Sequence, residues 1–477
     1  MKTINLLYIS IMLLFAITSC DSLLDVSTKH ALPQDKIKTV AGCESIIVGV
    51  YDLLQDATYA GRDLICVPDV MGDNCQPSPS STKYSGQYNF QPYYNIDIWE
   101  SSYKQIGALN EAILYLSELE QTDKVKALTG EALFLRAYNY FNLSIIYSRV
   151  PGHLVDNFNL CVPLITEPFF NEGGSITEQA SIPRSTVDAV WSKIVEDLTD
   201  SFALLENNDQ DNSPYRISAV AVKAFQSRVY LYKGDWPNAI SSANYAITKA
   251  SVKLYDGDYT DIFSDGAESI WQLHYIVTEN LKSTSLHSTY GTYDNGVRDA
   301  EGYGDGTGAG DAQLSISADF IGLIDQDKDT RFQAMRKVHY YGQSLWWTTK
   351  FNSWGGVFGL DDVPIIRISE VYLNRAEAYA HQSNYTSARA DIDLLRSKRG
   401  LSNTDASNSE LLNEILLQRR IELAFEGHRF FDMKRLGLPI SRPNGLSEVP
   451  YDDYRVVAPI STTEMDVNKE LVNNPGY

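Results

Sequence analysis

Two segments of this chain, far apart in sequence, carry one shared pattern, and that pattern restricts the fold more than any other feature. Ala224–Ile247 and Leu373–Leu395 each read as a helix, a short polar turn with an aromatic residue just after it, and a second helix. Laid over each other without a gap, Trp236 meets Tyr385, Ala239 meets Ala388 and Ala246 meets Leu395. Small residues at such crossing points let paired helices approach closely. The two copies are not tandem, so any array they form is interrupted.

The rest of the pattern is also helical. From Trp99 the apolar positions Tyr103, Ile106, Leu109, Ile113 and Leu116 recur at three and four residues, and Leu128, Ala132, Leu135, Tyr138 and Phe141 continue them in a second helix. Pro151 and Gly152 end that pair. A mostly α fold on tetratricopeptide-like helical hairpins follows, with a generic hairpin as the plainer alternative. The scaffold is expected over about 36–254 and 363–436, with a loop-rich insertion over about 255–362. Within the insertion, Glu268–Tyr275 alternates like a strand. Gly304, Gly306 and Ala309 meet a relaxed dinucleotide fingerprint, but no apolar strand precedes them, so the stretch reads as loop. Asp325, Asp327 and Asp329 imitate half a calcium loop, which fails at Thr330 and Arg336.

Composition excludes more than it assigns. The 477 residues carry 40 Lys plus Arg against 61 Asp plus Glu, a formal charge of −21, and such a chain is repelled by phosphate backbones, so no nucleic-acid partner is expected. The seven histidines are scattered, and neither a metalloprotease nor a P-loop signature occurs. No metal or cofactor is called for. Cys43, Cys66, Cys75 and Cys161 match no metal spacing, and no disulfide is assigned among them. Aromatic residues are plentiful, with 30 Tyr, 17 Phe and 7 Trp.

Lys2 and the apolar run Leu6–Ile17 form a secretory signal too short to cross a bilayer, which takes about 20 residues. Ile17-Thr18-Ser19-Cys20 resembles a bacterial lipobox, so residues 1–19 are expected to be removed and Cys20 acylated as a lipid anchor. An ordinary signal peptide with a fortuitous cysteine is the alternative.

Several motifs together resemble the SusD/RagB family of Bacteroidetes outer-membrane lipoproteins. They are Val363–Ala378 with its arginine and glutamates, Arg420–Arg435, the closing Asn474-Pro475-Gly476-Tyr477, and upstream Cys20–Asp25, Trp99 with Tyr103, Ile106 and Asn110, and Arg136-Ala137 through Val162-Pro163-Leu164. Ala458-Pro459-Ile460-Ser461 departs from the family, which commonly has a second proline after the isoleucine. The resemblance spans residues 20–477 and implies a SusD-like domain, mostly α, that is not an enzyme. It implies a lid on a TonB-dependent (SusC-like) outer-membrane transporter, held to the outer membrane by lipid and facing the exterior. The ligand so implied is an oligosaccharide or an oligopeptide, and an anchored glycoside hydrolase is the rival from another class.

Arg367, Glu370, Glu377, Glu422, Glu426, Arg429 and Asp432 read as an ion network rather than a site, with Arg367–Glu370, Glu426–Arg429 and Arg429–Asp432 at helical pair spacing. A sugar site wants exposed rings for its CH faces and planar polar groups for its hydroxyls. Two loop segments fit. The first, Gly72 to Tyr94, supplies Asp73, Asn74, Tyr84 and Tyr88, and the second supplies Tyr290, Tyr293, Trp346, Trp347 and Trp354. Asn74 alternatively turns the chain after the apolar segment before it. Adjacent Trp346 and Trp347 on a strand point to opposite faces, so one of them faces a cleft. Trp99, Trp191, Trp236 and Trp271 lie on periodic elements and are expected to be structural.

Overall fold

A computed structural model describes residues 34–79, 81–168, 181–208, 213–291, 311–340 and 342–477. The signal segment, Cys20 and Tyr293 therefore lie outside the described residues, as does the glycine-rich stretch from Gly302 to Gly310. The helices of six or more residues run α1 Val40–Leu54, α2 Asp63–Met71, α3 Trp99–Glu118, α4 Asp123–Tyr147, α5 Val187–Leu205, α6 Ala219–Lys233 and α7 Trp236–Lys249. They continue with α8 Ile368–His381, α9 Tyr385–Lys398, α10 Leu411–Glu422, α11 Arg429–Arg435 and α12 Thr462–Val467. The strands are β1 Cys75–Pro77, β2 Ser269–Leu273, β3 Leu314–Ile316, β4 Met335–Tyr340, β5 Gln343–Thr348 and β6 Val363–Arg367. The fold is mostly helical, as the periodicity implies.

Both repeated segments are hairpins with the same punctuation. Gly234, at φ 69°, closes α6, and the Asp235 side chain accepts from the Asn238 N–H to start α7. In the second copy, Asn384 caps α9 by accepting from the Ser387 N–H. Ala239, Ala243 and Ala246 are fully buried, so α7 lies close to its neighbours. The array is not interrupted in space: α7 packs directly on α8, and Trp236 stacks on His381 at 4.0 Å and 4°. Arg375 on α8 donates to Asp391 on α9 and to Asn244 on α7, which ties three helices together. The intervening chain leaves and returns through β2 and β6, an antiparallel pair whose register joins Ser269 to Arg367 and Leu273 to Val363.

Helix α4 is the centre of the scaffold, buried on nearly every face from Val125 to Tyr147 and packed against α1, α3 and α5. Its terminal carbonyls have no partner within the helix. Two buried cations satisfy them: Arg184 donates to the Tyr147 carbonyl and Lys434 to the Ile145 carbonyl. Arg184 also holds Asn474 at 2.9 Å, so the closing Asn474-Pro475-Gly476-Tyr477 segment is fastened to the end of the longest described helix. Trp191 and Trp271 are fully buried and Trp99 nearly so, which matches their periodic placement.

The second sheet has strand order β1-β3-β5-β4. β1 comes from the first loop segment and the other three from the insertion, so this sheet brings the two loop regions together. All four described cysteines are buried free thiols, and burial raises the Cys161 thiol to about 11. Among the described residues no helix is long and apolar enough to cross a membrane.

Candidate ligand-binding surface

The signature charges do form a buried network, but with partners other than the helical spacing suggests. Arg367 donates to Glu426 at 2.7 and 2.8 Å, to Glu268 at 2.9 Å and to Glu422 at 3.1 Å. Arg399 closes the ring by donating to Glu268 at 2.7 Å and to both Glu422 oxygens. Lys350 adds a contact of 2.6 Å to Glu426. Glu370 pairs with Arg228, Glu377 with Arg435, and Asp432 with Arg419 and Arg435. The pairs Arg367–Glu370, Glu426–Arg429 and Arg429–Asp432 are not formed: Arg367 ends a strand, Glu426 sits in the turn before α11, and Arg429, though on α11 with Asp432, pairs with Asp73. Burial alone would push the Glu422 and Glu426 carboxyls up, yet the surrounding cations hold both below the usual range. With every charge matched and enclosed, the network supports the fold and offers nothing to a ligand.

Most of the side chains expected at the site are also used internally. Asp73 is nearly buried and accepts from Arg429 at 2.6 and 2.9 Å, with Arg420 at 3.1 Å. Burial opposes its charge, but the two guanidinium groups hold its carboxyl low. Asn74 is fully buried, donating to Asp69 at 2.7 Å and accepting from Arg420 at 3.0 Å. Tyr84 is buried with its hydroxyl on Asp63. Tyr290 packs between Phe351 and Phe425 and is buried. These four expectations of exposure are corrected: β1 lies against β3, which turns both loop segments inward where they meet.

The tryptophan pair divides as the strand rule requires. Trp347 is 2% exposed against Ala312 and Val338, whereas Trp346 is half-buried on the other face, beside Phe332 at 5.3 Å. Trp354 is half-buried, its indole N–H donating to the Lys350 carbonyl. Tyr88 is half-buried under the Arg442 guanidinium, 4.8 Å from its ring centroid.

Exposed rings appear one step further along the first loop. Tyr93 is 68% exposed and Tyr94 52%. Their segment is held in a demanding shape, with Tyr84, Phe90 and Tyr93 all at positive φ, between 48° and 69°. Arg442 supports it from below, lying between the Tyr88 and Phe90 rings and donating to the Met71 carbonyl at 3.2 Å. Gly86 is required here, since a Cβ on it would come within 2.0 Å of the Tyr94 ring. Tyr93 meets Tyr477 at 5.4 Å, and Tyr477 meets Tyr454 at 4.9 Å, so the C-terminal tyrosine extends the shelf.

Tyr93 also borders a cleft of about 560 Å³. Trp99 and Tyr147, whose rings pack edge-on at 5.0 Å, form its floor with Ile96 and Ile460. Asn95, Asp97, Glu100, Ser461 and Glu464 supply polar groups around it. The Trp99 indole favours the charged form of Glu464. Beyond the Trp99–Glu464 wall lies a second groove of about 400 Å³, lined by Tyr103, Pro163, Ile165 and Leu471. An exposed ring pair beside a roomy cleft, with amide, hydroxyl and carboxylate groups at its edge, is chemically suited to a polyhydroxylated ligand. Sequence reasoning included Tyr93 and Tyr94 in the first loop segment without choosing them. The doubled tyrosine after Pro92 is the signal that marks them, whereas nothing local links them to residues 458–464.

The comparisons with known proteins agree with this architecture. Residues 22–231 match a family described as starch-binding and associating with the outer membrane, and residues 323–477 match the SusD family. SusD-like protein P2 of Formosa agariphila is 24% identical, with 98% of each chain covered. A SusD superfamily protein from Bacteroides thetaiotaomicron superposes with TM-score 0.77 at 24% identity, covering 92% of this chain and all of its own. A SusD-like carbohydrate-binding protein from Bacteroides vulgatus gives TM-score 0.76 at 20% identity, covering 91% of this chain and 97% of that one. A laminarin-binding SusD-like protein gives 0.71 at 22% identity, over 92% and 99%. The two family matches take in most of the sequence, and the chain belongs to the SusD family.

Proposed function

We propose that this protein captures oligosaccharides on the Tyr93–Tyr94 shelf and its adjoining cleft, and passes them to a partner TonB-dependent transporter in the outer membrane. In this reading Cys20 carries the lipid anchor, and the domain faces the cell exterior. No covalent chemistry is involved. The observation that carries the reading is the pair of strongly exposed tyrosine rings, of which Tyr93 lines a cleft of about 560 Å³. Tyr88 and Trp346, which keep part of their rings open, belong to the same proposed surface. Asp73, Asn74, Tyr84, Tyr290 and Trp347 act from beneath it, by fixing the loops that carry the contacts. Stacking and hydrogen bonds exchanged with water leave a modest net affinity.

Calorimetric titration of the mature protein against panels of neutral glycans and of peptides tests the reading. Heat of binding with a glycan and none with peptides supports it, and the reverse result replaces the ligand class. A Cys20→Ser variant should leave the membrane fraction for the soluble one, and retention there would count against the anchor.

A further inference from the structure

The cleft beside Tyr93 carries an electrical asymmetry that goes beyond a generic sugar site. Three carboxylates meet there: Asp97 and Glu100 at the start of α3, and Glu464 on α12. Asp97 accepts from the Tyr147 hydroxyl at 3.0 Å and from the Trp99 backbone N–H at 3.4 Å, while the Trp99 indole favours the charged form of Glu464. All of these donors are neutral. Among the described residues lining the 560 Å³ cleft there is no lysine or arginine, and the second groove contributes only the exposed Lys104, one turn beyond Glu100. Burial, followed by the neighbouring Glu100 and Asp97 charges, raises the Glu464 carboxyl from its ordinary value. The contrast is with the network around Arg367, where Glu268, Glu422 and Glu426 are matched by a guanidinium group.

Resting on the capture reading, we infer that this carboxylate set selects the ligand by charge: the cleft takes neutral oligosaccharides and turns away those bearing sulfate esters or uronate carboxylates. Neutral hydroxyls donate to carboxylate oxygens, and each such bond to a charged acceptor is stronger than one to a neutral group. A sulfate or uronate placed over Trp99 instead meets three like charges around one concave surface. The geometry also runs past Trp99 into the second groove, so a chain of several sugar units can span both depressions.

The test uses the mature protein, a panel of neutral α- and β-gluco-oligosaccharides, and the sulfated derivative of whichever binds best. The expected result is a preference for the neutral form of about tenfold or more at low salt, shrinking as ionic strength rises. In the Glu100→Gln/Glu464→Gln variant that preference should fall to about threefold or less. Glu100→Gln alone, on an exposed helical position, provides the same readout in smaller measure if the double variant folds poorly. Equal affinity for neutral and sulfated oligomers in the wild type, or a preference untouched by salt and by both variants, overturns the inference and leaves the capture reading standing. Failure of the wild type to bind any glycan in the panel defeats the capture reading itself, and this inference with it.

Discussion

Two acid-rich regions of this molecule are arranged in opposite ways. Around Arg367, the carboxylates of Glu268, Glu422 and Glu426 are enclosed and met by Arg367, Arg399 and Lys350. Around Trp99, the carboxylates of Asp97, Glu100 and Glu464 line an open cleft and meet only neutral donors among the described residues. The first arrangement satisfies every charge internally and specifies how α8, α10, β2 and β6 meet. The second leaves acceptor capacity facing solvent, where a guest can use it. Acid content alone distinguishes nothing; the placement of cations separates the structural cluster from the receptive one.

The comparison can be broken most severely at Arg367. Arg367→Met leaves three buried carboxylates short of a partner, and breaking such a set costs about 3–5 kcal/mol, read as a lower midpoint in chemical denaturation. A loss under about 1 kcal/mol would show that the network is not what joins these elements.

The tryptophan pair comes next. Trp347→Ala empties a buried position and should cost about 3–5 kcal/mol. Trp346→Ala, on the half-open face, should cost about 1 kcal/mol or less and weaken glycan binding instead. Equal destabilisation by the two would contradict the two-faced strand.

Acidity sharpens the contrast further. Glu370, opposed by burial but dominated by Arg228, is lowered to about 2, so its contribution to stability is present above about 4.5 and is lost as pH falls towards 2. Asp69 behaves in reverse. It is fully buried with one oxygen unpartnered, and burial raises it to about 7. Its folded form holds the proton more tightly than the unfolded chain, so it favours folding at low pH and opposes it as pH rises through 7. Asp69→Asn should therefore stabilise the protein by about 1–3 kcal/mol at pH 8, with the difference vanishing towards pH 4. Thermal unfolding of both forms across that range checks the sign.

The smallest expected effect on stability is at the shelf. Tyr93→Ala and Tyr94→Ala should each shift the unfolding free energy by no more than about 0.5 kcal/mol, because both rings are largely solvated. A larger loss would place them in the fold rather than on its surface.

How much of this was legible in the sequence follows the range of the forces involved. The hairpins were readable because capping by Asp235 and Asn384, and small residues such as Ala239 and Ala388, are local signals. Their adjacency was not, since it depends on β2 pairing with β6 across the whole insertion. The same blindness affected the ion pairs: Arg367 finds Glu426 rather than Glu370 because a strand-to-helix junction removes the helical spacing on which the local rule rests. Residues of the first loop were assigned by type, and those nearest β1 were turned inward by a partner strand far along the chain. Only the stretch past Gly86 escaped that pairing, which is why the open rings are Tyr93 and Tyr94.

The most direct measurement is a calorimetric titration of the wild type and of the Tyr93→Ala/Tyr94→Ala protein with the same neutral oligosaccharide, alongside their melting temperatures. Loss of two stacking faces should weaken binding about tenfold or more with the melting temperature unchanged within about 2 °C. Undiminished affinity in the double variant would contradict the account at its centre.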